Sequence, residues 1–335
     1  MSMQPKDIVR AALRFQSPER MPVRMDVFGI DDTMWVPLTG GNRVEDGVRI
    51  DDWGCGWAQT ATHNMGQVKA HPLADLAEHE RVVPPDYSQD WRYAACEAAL
   101  QQAEREGRYT HIGIFMILFE RMHALAGFET VLMGLLADRA NAEALADKIL
   151  ATQIALVHHC QNRFGARLHS IGMSEDWGTQ QAAFISKELW DDFFLPRYSK
   201  LFAEIHKGGQ DVWVHSCGKV NEIIAGFIEA GVDVINLQQP RALGIEEIGR
   251  RYRGKITFES LADIQATMPT GRRDLIEADT RDLACHWMLP TGGFVLSDYG
   301  DGAAIGATPE AKRVMYQAFS NVSQELYGAP LPPLP

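Results

Sequence analysis

The second half of the chain alternates short apolar segments with amphipathic ones, and this alternation constrains the fold more than any other feature. Each of five apolar runs is bounded by turn residues and followed by a segment with helical periodicity. Short apolar strands that alternate with helices are typical of parallel sheets covered on both faces, so the pattern indicates an α/β protein. The five runs are RLHSIGMSEDWG, DVWVHSCG, VDVINLQQP, KITFES and GGFVLSDYG.

The first half is less regular, but it supplies enough strands to close a barrel. PERMPVRMDVF and YTHIGIFMILF indicate two strands, and one more is expected within residues 30–95, where IDDWGCGWAQTATHNMGQVKAHP indicates a hairpin or folded loop. Eight strands predict a single (β/α)8 barrel of the TIM type over residues 1–330, with an elaborated amino-terminal loop region and an extended tail at 331–335. A doubly wound sheet is the alternative.

Charge and composition argue against two kinds of partner. The formal net charge of -12 disfavours binding to nucleic-acid phosphates. No segment reaches the roughly 20 apolar residues of a membrane span, and the amino terminus lacks the apolar core of a signal peptide. The five cysteines are scattered and odd in number, which does not indicate a disulfide framework. We therefore predict a cytoplasmic protein without a membrane or nucleic-acid partner.

Polar side chains end each of the five strands in the second half. In a barrel the carboxyl ends of the strands meet at one mouth, and active sites lie there. We therefore expect an active site at this mouth. The residues at the strand ends are Glu175 and Asp176, His215 and Cys217, Gln238 and Gln239, Glu259 and Ser260, and Ser297 and Asp298.

His215 and Cys217 are the strongest candidates for metal binding. They lie two residues apart at the end of a predicted strand, so their side chains point to the same side. An imidazole and a thiolate are two of the ligands that zinc prefers. Two ligands do not complete a site, and the alternative is a buried histidine beside an inert thiol.

These motifs resemble the uroporphyrinogen decarboxylase superfamily. The resemblance covers nearly the whole chain and implies a single distorted (β/α) barrel, often dimeric. The superfamily contains the heme-pathway decarboxylase, which needs no metal or cofactor, and zinc-dependent methyltransferases that move methyl groups to or from a corrinoid protein. The motifs are HSCG at 215–218, EDWGTQ at 175–180, VDVIN at 232–236 with Gln239-Pro240, PERMPV near the start, and GQVKAHPL in the loop region.

The chain resembles the methyltransferase branch more than the decarboxylase. The decarboxylase holds substrate carboxylates with a motif of the form Met-Arg-Gln-Ala-Gly-Arg, whereas the matching strand here keeps only Arg24 and adds Asp26. A porphyrinogen with many carboxylates would be repelled by the acidic groups predicted at the mouth. Those groups are Asp26, Glu175, Asp176 and Asp298.

The resemblance implies a zinc ion on His215 and Cys217. The third ligand of that branch is usually a cysteine just past the last strand, and the matching position here falls at or near Gly300. Asp298 is the nearest candidate in its place, since a carboxylate oxygen is an acceptable zinc ligand. A site with a carboxylate suits the activation of an ether or amine better than that of a thiol. Glu175 and Glu259 are further options.

The predicted function is transfer of a methyl group from a small O- or N-methyl compound to a corrinoid, which a partner protein supplies because no corrinoid domain is recognised in the chain. Zinc would act as a Lewis acid, and Glu175 or Asp176 would position the substrate or supply a proton. Two alternatives stay open: a metal-free decarboxylase or other lyase of a small acid, and a non-catalytic binding protein. A homodimer with open mouths is also expected. The predicted substrate-binding residues are His63, Glu120, Gln238 and Glu259.

Overall fold

The computed structural model describes residues 2–59 and 66–335, without the side chain of Asp26. Within these residues the chain forms short strands and longer helices. The strands are β1 (Val23–Met25), β2 (Ile30–Asp31), β3 (Thr33–Trp35), β4 (Arg43–Glu45), β5 (Val48–Ile50), β6 (Gly56–Ala58), β7 (Gln67–Ala70), β8 (Tyr109–Ile114), β9 (Ser170–Ser174), β10 (Asp211–His215), β11 (Val234–Asn236), β12 (Thr257–Ser260) and β13 (Phe294–Ser297). The helices are α1 (Pro5–Leu13), α2 (Cys96–Glu106), α3 (Phe119–Ala126), α4 (Phe128–Ala137), α5 (Arg139–Phe164), α6 (Lys187–Phe193), α7 (Leu195–Lys207), α8 (Ile224–Ala230), α9 (Pro240–Leu243), α10 (Ile245–Tyr252), α11 (Arg273–Trp287) and α12 (Pro309–Tyr327).

Eight of these strands form a nearly closed parallel barrel, which confirms the predicted fold. Their order is β1-β13-β12-β11-β10-β9-β8-β3, and β2 pairs antiparallel with the outer edge of β1. Asp32 joins the two ends of the sheet, because its backbone N–H donates to the Val23 carbonyl and its carboxylate accepts the Val23 N–H, each at 2.8 Å. The strand expected within residues 30–95 is β3.

The loop region near the amino terminus is more regular than the predicted hairpin. Strands β4 to β7 form a separate four-stranded antiparallel sheet. Its hairpins pack on the barrel through Trp53 and Trp57, which are both buried, and Trp57 donates its indole N–H to Asp51 at 3.2 Å. The two tryptophans therefore form the packed side of the loop region.

Alternation along the strands decides which side chains enter the barrel. In β10, Trp213 and His215 point inward, whereas Val212 and Val214 face the surrounding helices and are fully buried. Helix α1 closes the amino-terminal end of the barrel, where its apolar residues meet strand side chains in one cluster. The interior is therefore open at the carboxyl end of the strands. The cluster consists of Val9, Leu13, Tyr109, Trp213, Val234 and Val295.

The carboxyl-terminal residues have no regular structure and lie on α12 of the same chain. Leu331 is 4% exposed, and its N–H donates to Ser320 Oγ at 3.2 Å. The Tyr316 hydroxyl donates to the Pro332 carbonyl at 2.5 Å. Packing against α12 covers the tail without a second subunit, so the tail supplies no argument for the homodimer, which stays a prediction. No helix in the described ranges is both long and apolar enough to cross a membrane.

Candidate active site

A cavity of about 540 Å³ lies where the carboxyl ends of the barrel strands meet. Its walls combine ionisable groups with aromatic rings. This is the mouth at which the strand ends predict an active site. The lining residues include Arg24, Trp35, His111, Phe115, Glu120, Ser174, Asp176, Trp213, His215, Cys217, Asn236, Gln238, Glu259, Asp298, Tyr299 and Gly300.

Asp176, His215 and Cys217 form a compact group of possible metal ligands in this cavity, with their ligand atoms all within 4.8 Å of one another. His215 Nε2 lies 3.2 Å from Cys217 Sγ and 3.5 Å from Asp176 Oδ1. Bonds of 2.0–2.3 Å to a tetrahedral zinc ion separate neighbouring ligand atoms by roughly 3.3–3.6 Å. The three side chains therefore match a zinc site with three protein ligands and one open position.

Two glycines bring Asp176 beside Cys217. Gly178 follows β9 and Gly218 follows β10, and the two backbones pack directly against each other. A Cβ atom at Gly178 would lie 2.8 Å from the Lys219 nitrogen, and one at Gly218 would lie less than 3.0 Å from the Gly178 backbone. Gly218 also has a φ of +83°, which disfavours other residues. As a result the Cys217 N–H donates to Asp176 Oδ1 at 2.8 Å.

Asn236 fixes the orientation of the His215 ring. The two residues are register partners in the parallel pair of β10 and β11, and His215 Nδ1 is hydrogen-bonded to the Asn236 side-chain oxygen. Because the Asn236 oxygen can only accept a hydrogen bond, Nδ1 of His215 must carry the ring proton. In the neutral ring the lone pair is therefore on Nε2, which faces Cys217. Burial lowers the pKa of His215, but Cys217 and Asp176 raise it to about 10. A metal ion must therefore displace a proton from this imidazole.

The predicted third ligand, Asp298, is placed differently. Its carboxylate lies 3.0 Å from Lys312 Nζ, and both side chains are almost completely buried. This buried ion pair holds the Asp298 carboxylate toward Lys312 on α12. The carboxylate that lies beside His215 and Cys217 is that of Asp176. Asp298 and Gly300 still contribute to the cavity wall.

Glu175, a predicted catalytic residue, is fully buried and lies outside the cavity wall. Its carboxylate accepts the backbone N–H groups of residues 117–119 at 2.5–3.2 Å and the Tyr198 hydroxyl at 2.5 Å. A carboxylate that accepts the free N–H groups at a helix start stabilises that end of the helix. Glu175 therefore lies at the start of α3 and does not line the cavity, which differs from the placement predicted for it. Of the predicted catalytic pair, only Asp176 lies in the cavity.

Glu120, predicted to bind substrate, does line the cavity. It lies in the first turn of α3 and is 8% exposed, and Ser174 Oγ donates to its Oε2 at 3.1 Å. Burial and the negative charges of Asp176 and Glu175 raise the pKa of Glu120 to about 8. Burial and these neighbouring charges therefore favour the protonated form of Glu120, which lines the same cavity as the possible metal ligands.

The other predicted substrate-binding residues differ in their surroundings. Glu259 lies on the cavity wall but is paired with Arg24, whose Nη1 is 3.1 Å from Glu259 Oε1. Gln238 also lines the cavity, and its side-chain amide makes no hydrogen bond to the described residues. His63 lies outside the described residues.

Sequence reasoning missed several residues of the cavity wall. Tyr299 directly follows Asp298, and burial together with the charges of Cys217, Asp301 and Asp176 raises its pKa. Trp35 ends β3, the strand that the sequence did not locate. The position of Tyr299 just past the last strand is a sequence signal that indicates a place at the mouth of the barrel. Trp35 carries no such signal, because its strand has only three residues and cannot be recognised from the sequence.

Comparisons with known proteins identify a family and a shared fold. The family model described as uroporphyrinogen decarboxylase matches residues 53–258. A methyltransferase from Methanosarcina mazei has 15% sequence identity and a TM-score of 0.72, and the likeness covers 96% of this chain and 99% of that one, which shows a shared fold. Xylanase 10B from Thermotoga maritima has 9% identity, a TM-score of 0.44, and coverage of 96% and 100%. No curated protein sequence matches the chain significantly.

Proposed function

Since this chain belongs to the uroporphyrinogen decarboxylase family, which is a family of enzymes, we propose that it is a zinc-dependent methyltransferase. It transfers a methyl group from a small O- or N-methyl compound to the cobalt of a corrinoid that a partner protein holds. The observation that carries this proposal is the juxtaposition of Asp176, His215 and Cys217 in the mouth of the barrel.

The three side chains supply nitrogen, sulfur and oxygen donors, which suit zinc. When bound, zinc would act as a Lewis acid on the heteroatom that leaves the methyl group. His215 is oriented for this role by Asn236, and Asp176 is oriented by the N–H of Cys217. Hydrogen bonds of this kind fix the geometry of metal ligands and strengthen binding.

The reaction needs one proton as well as the methyl acceptor. The C–O or C–N bond of the donor breaks with its electron pair on the heteroatom, and the electron pair of cobalt(I) forms the bond to the methyl carbon. The heteroatom then takes up a proton. Glu120 is the acid on the cavity wall that is placed to supply it, with its carboxyl group held by Ser174.

The corrinoid must reach the cavity from outside the barrel. Cobalt and the methyl carbon must come nearly into contact for transfer, so an open mouth is required. Trp35 at the cavity wall is 51% exposed, and Asp176 has a side chain that is 41% exposed. The mouth of a single chain is therefore accessible to a partner.

The deciding experiment follows the spectrum of cob(I)alamin mixed with zinc-loaded protein and a set of methyl donors that includes methanol, methylamine and 2-methoxyphenol. We expect methylcobalamin to form with at least one donor. Cys217→Ser removes a ligand itself and should slow the reaction by more than the roughly 10–100-fold that loss of a hydrogen-bond partner of a metal ligand costs. Cys285→Ser is the matched control, because Cys285 is exposed on α11, and it should react like the wild type.

Two results would contradict the proposal. The first is the absence of methylcobalamin with every donor when zinc is bound. The second is equal activity of the wild type and Cys217→Ser. Release of carbon dioxide from a small acid by metal-free protein would instead support the alternative of a decarboxylase.

A further inference from the structure

The exposed apolar side chains of this protein are concentrated on one part of its surface. Among the described residues, all ten exposed large apolar side chains lie within 27–136, at or beyond the carboxyl ends of β1, β3 and β8. These three strands are neighbours in the barrel, so the apolar surface borders one side of its mouth. Exposed apolar side chains that cluster in this way mark an interaction site. The ten residues are Val27, Trp35, Val44, Val48, Val83, Trp91, Phe115, Phe128, Met133 and Leu136.

Helix α4 is apolar on its outer face as well as its inner face. The inner face is packed tightly, since a Cβ atom at Gly134 would lie less than 3.0 Å from the Leu76 side chain. The outer face carries Phe128, Met133 and Leu136, which are 38%, 69% and 77% exposed. A surface helix usually has a polar outer face, whereas a helix that is apolar all round is usually covered. The outer face of α4 therefore lacks a cover within the described chain.

Aromatic contacts join this face to the mouth of the barrel. The ring centroids of Phe128 and Phe119 are 6.0 Å apart, and Phe119 stacks on Trp177 at 4.2 Å. Trp177 directly follows Asp176, one of the possible metal ligands. A protein that covers the outer face of α4 therefore lies beside the mouth, where cobalt must meet the methyl carbon.

The size of this face suits a transient complex better than a stable dimer. Helix α4 has 10 residues and is roughly 15 Å long, so its outer face supplies only part of the roughly 800 Å² that each partner buries in a stable interface. One cobalt accepts one methyl group at the ligand cluster, which we define as Asp176, His215 and Cys217. The methylated partner must then leave before the next transfer, so a small contact is appropriate.

Charge also separates the candidate partners of this face. Glu129 is the single charged residue of α4, and the whole chain has a formal net charge of -12. A second copy would bring the same acid and the same net charge to the contact, and like charges repel. An anionic membrane is disfavoured as well, because helices that bind it carry lysine and arginine on their polar face. The charges therefore favour a different protein whose apolar contact surface has no excess of acidic groups.

We propose that the outer face of α4, formed by Phe128, Met133 and Leu136, is the docking surface for the corrinoid protein. This inference rests on the function proposed above. The docked protein covers the three side chains and holds its cobalt at the mouth of the barrel. Covering them removes apolar area from water and stabilises the complex, and the small size of the contact lets the partner leave after each transfer.

Two methyl acceptors separate docking from chemistry. Free cob(I)alamin needs no docking surface, whereas a purified corrinoid protein reduced to the cobalt(I) state does. With a donor that methylates cob(I)alamin, Met133→Glu and Leu136→Glu should each lower kcat/KM for the corrinoid protein at least about tenfold, since burying an unpaired carboxylate is costly. Their rates with free cob(I)alamin should equal that of the wild type. Val44→Glu is the matched control, because Val44 is 73% exposed on β4, and it should resemble the wild type with both acceptors.

An equal loss in Val44→Glu, or no loss in the α4 variants, would overturn the assignment. Sedimentation velocity tests the second copy, and a wild-type dimer that Leu136→Glu converts to a monomer would also overturn it. The two acceptors separate this inference from the proposed function. Methylation of free cob(I)alamin combined with unchanged kinetics of the α4 variants toward the corrinoid protein would refute the docking surface alone. Failure to methylate either acceptor would refute the methyltransferase, and the docking surface with it.

Discussion

The side-chain oxygen of Asn236 accepts a hydrogen bond from Nδ1 of His215, its register partner on the neighbouring strand. This contact aims Nε2 of His215 at Cys217. Asn236→Leu removes the acceptor at similar side-chain size, and we expect zinc affinity to fall by about 10–100-fold, the usual cost of losing such a partner. Competition with a chromophoric chelator measures the affinity. Asn236→Asp keeps an acceptor and should bind zinc more tightly than Asn236→Leu, whereas equal affinities for both variants and the wild type would refute the role of Asn236.

The close contact between the loops after β9 and β10 predicts a specific effect of Gly218→Ala. A Cβ atom there would collide with Gly178, so we expect Asp176 and Cys217 to separate and zinc binding to weaken. Gly209→Ala is the matched control, because Gly209 has nearly the same φ, +81°, and no atom within 4 Å of the added Cβ. Both variants should lose about 1–2 kcal/mol of stability from the left-handed backbone. If both bound zinc equally well, the collision would not explain the placement of Asp176.

The position of Glu120 predicts that its proton matters for the reaction. Glu120→Gln keeps the size of the side chain and can still accept the hydrogen bond from Ser174, but it has no acidic proton. We expect the rate of methyl transfer to fall by about 10²–10⁴-fold, the usual contribution of a general acid. Zinc affinity should be unchanged, which separates this effect from damage to the ligand cluster. A Glu120→Gln enzyme with the wild-type rate would exclude Glu120 as the acid.

Two buried histidines are predicted to destabilise the folded state in mild acid. His169 accepts the backbone N–H of Thr110 at Nδ1 at 2.9 Å, which requires the neutral ring, and burial together with Arg10 and Lys6 lowers its pKa to about 4. Burial likewise lowers the pKa of His123 to about 4. Between pH 6.5 and 4 the unfolded chain binds protons that the folded chain does not. The contribution of each histidine to the free energy of unfolding therefore decreases as the pH falls from 6.5 to 4, by up to about 1.4 kcal/mol per pH unit.

Urea denaturation at pH 7, 6 and 5 checks this dependence. His169→Gln should reduce the slope by about one proton, because the unfolded variant no longer titrates at this position. His158→Gln alters an exposed histidine and serves as the control. A slope that is the same in His169→Gln and the wild type would show that His169 does not contribute.

The sequence was sufficient to predict the barrel, because strands covered on both faces leave a strong apolar signal and their order is set by the helices between them. The family match confirms the resemblance that the motifs showed. The pairing of His215 with Cys217 on one side of the chain also followed from local periodicity. The four-stranded sheet near the amino terminus was less predictable, since its strands have only three or four residues.

The third member of the ligand cluster could not be predicted from local pattern. Glu175 and Asp176 are adjacent at the end of β9, so their side chains diverge, and the sequence does not say which one enters the cavity. Glu175 turns toward α3 and Asp176 toward Cys217. The reason is the contact between Gly178 and Gly218, which lie 40 positions apart in the sequence and meet only in the folded chain. The partner of Asp298, Lys312, is likewise on a later helix.

The most direct test of the central claim is the stoichiometry and ligand set of bound zinc. Equilibrium dialysis followed by elemental analysis should find one zinc ion per chain in the wild type and in Asp298→Asn. Asp176→Asn and Cys217→Ser should each bind zinc at least tenfold more weakly. X-ray absorption of the wild type should show one sulfur ligand at about 2.3 Å, with nitrogen and oxygen ligands completing the shell. A protein that binds no zinc, or one whose zinc has no sulfur ligand, would contradict the account.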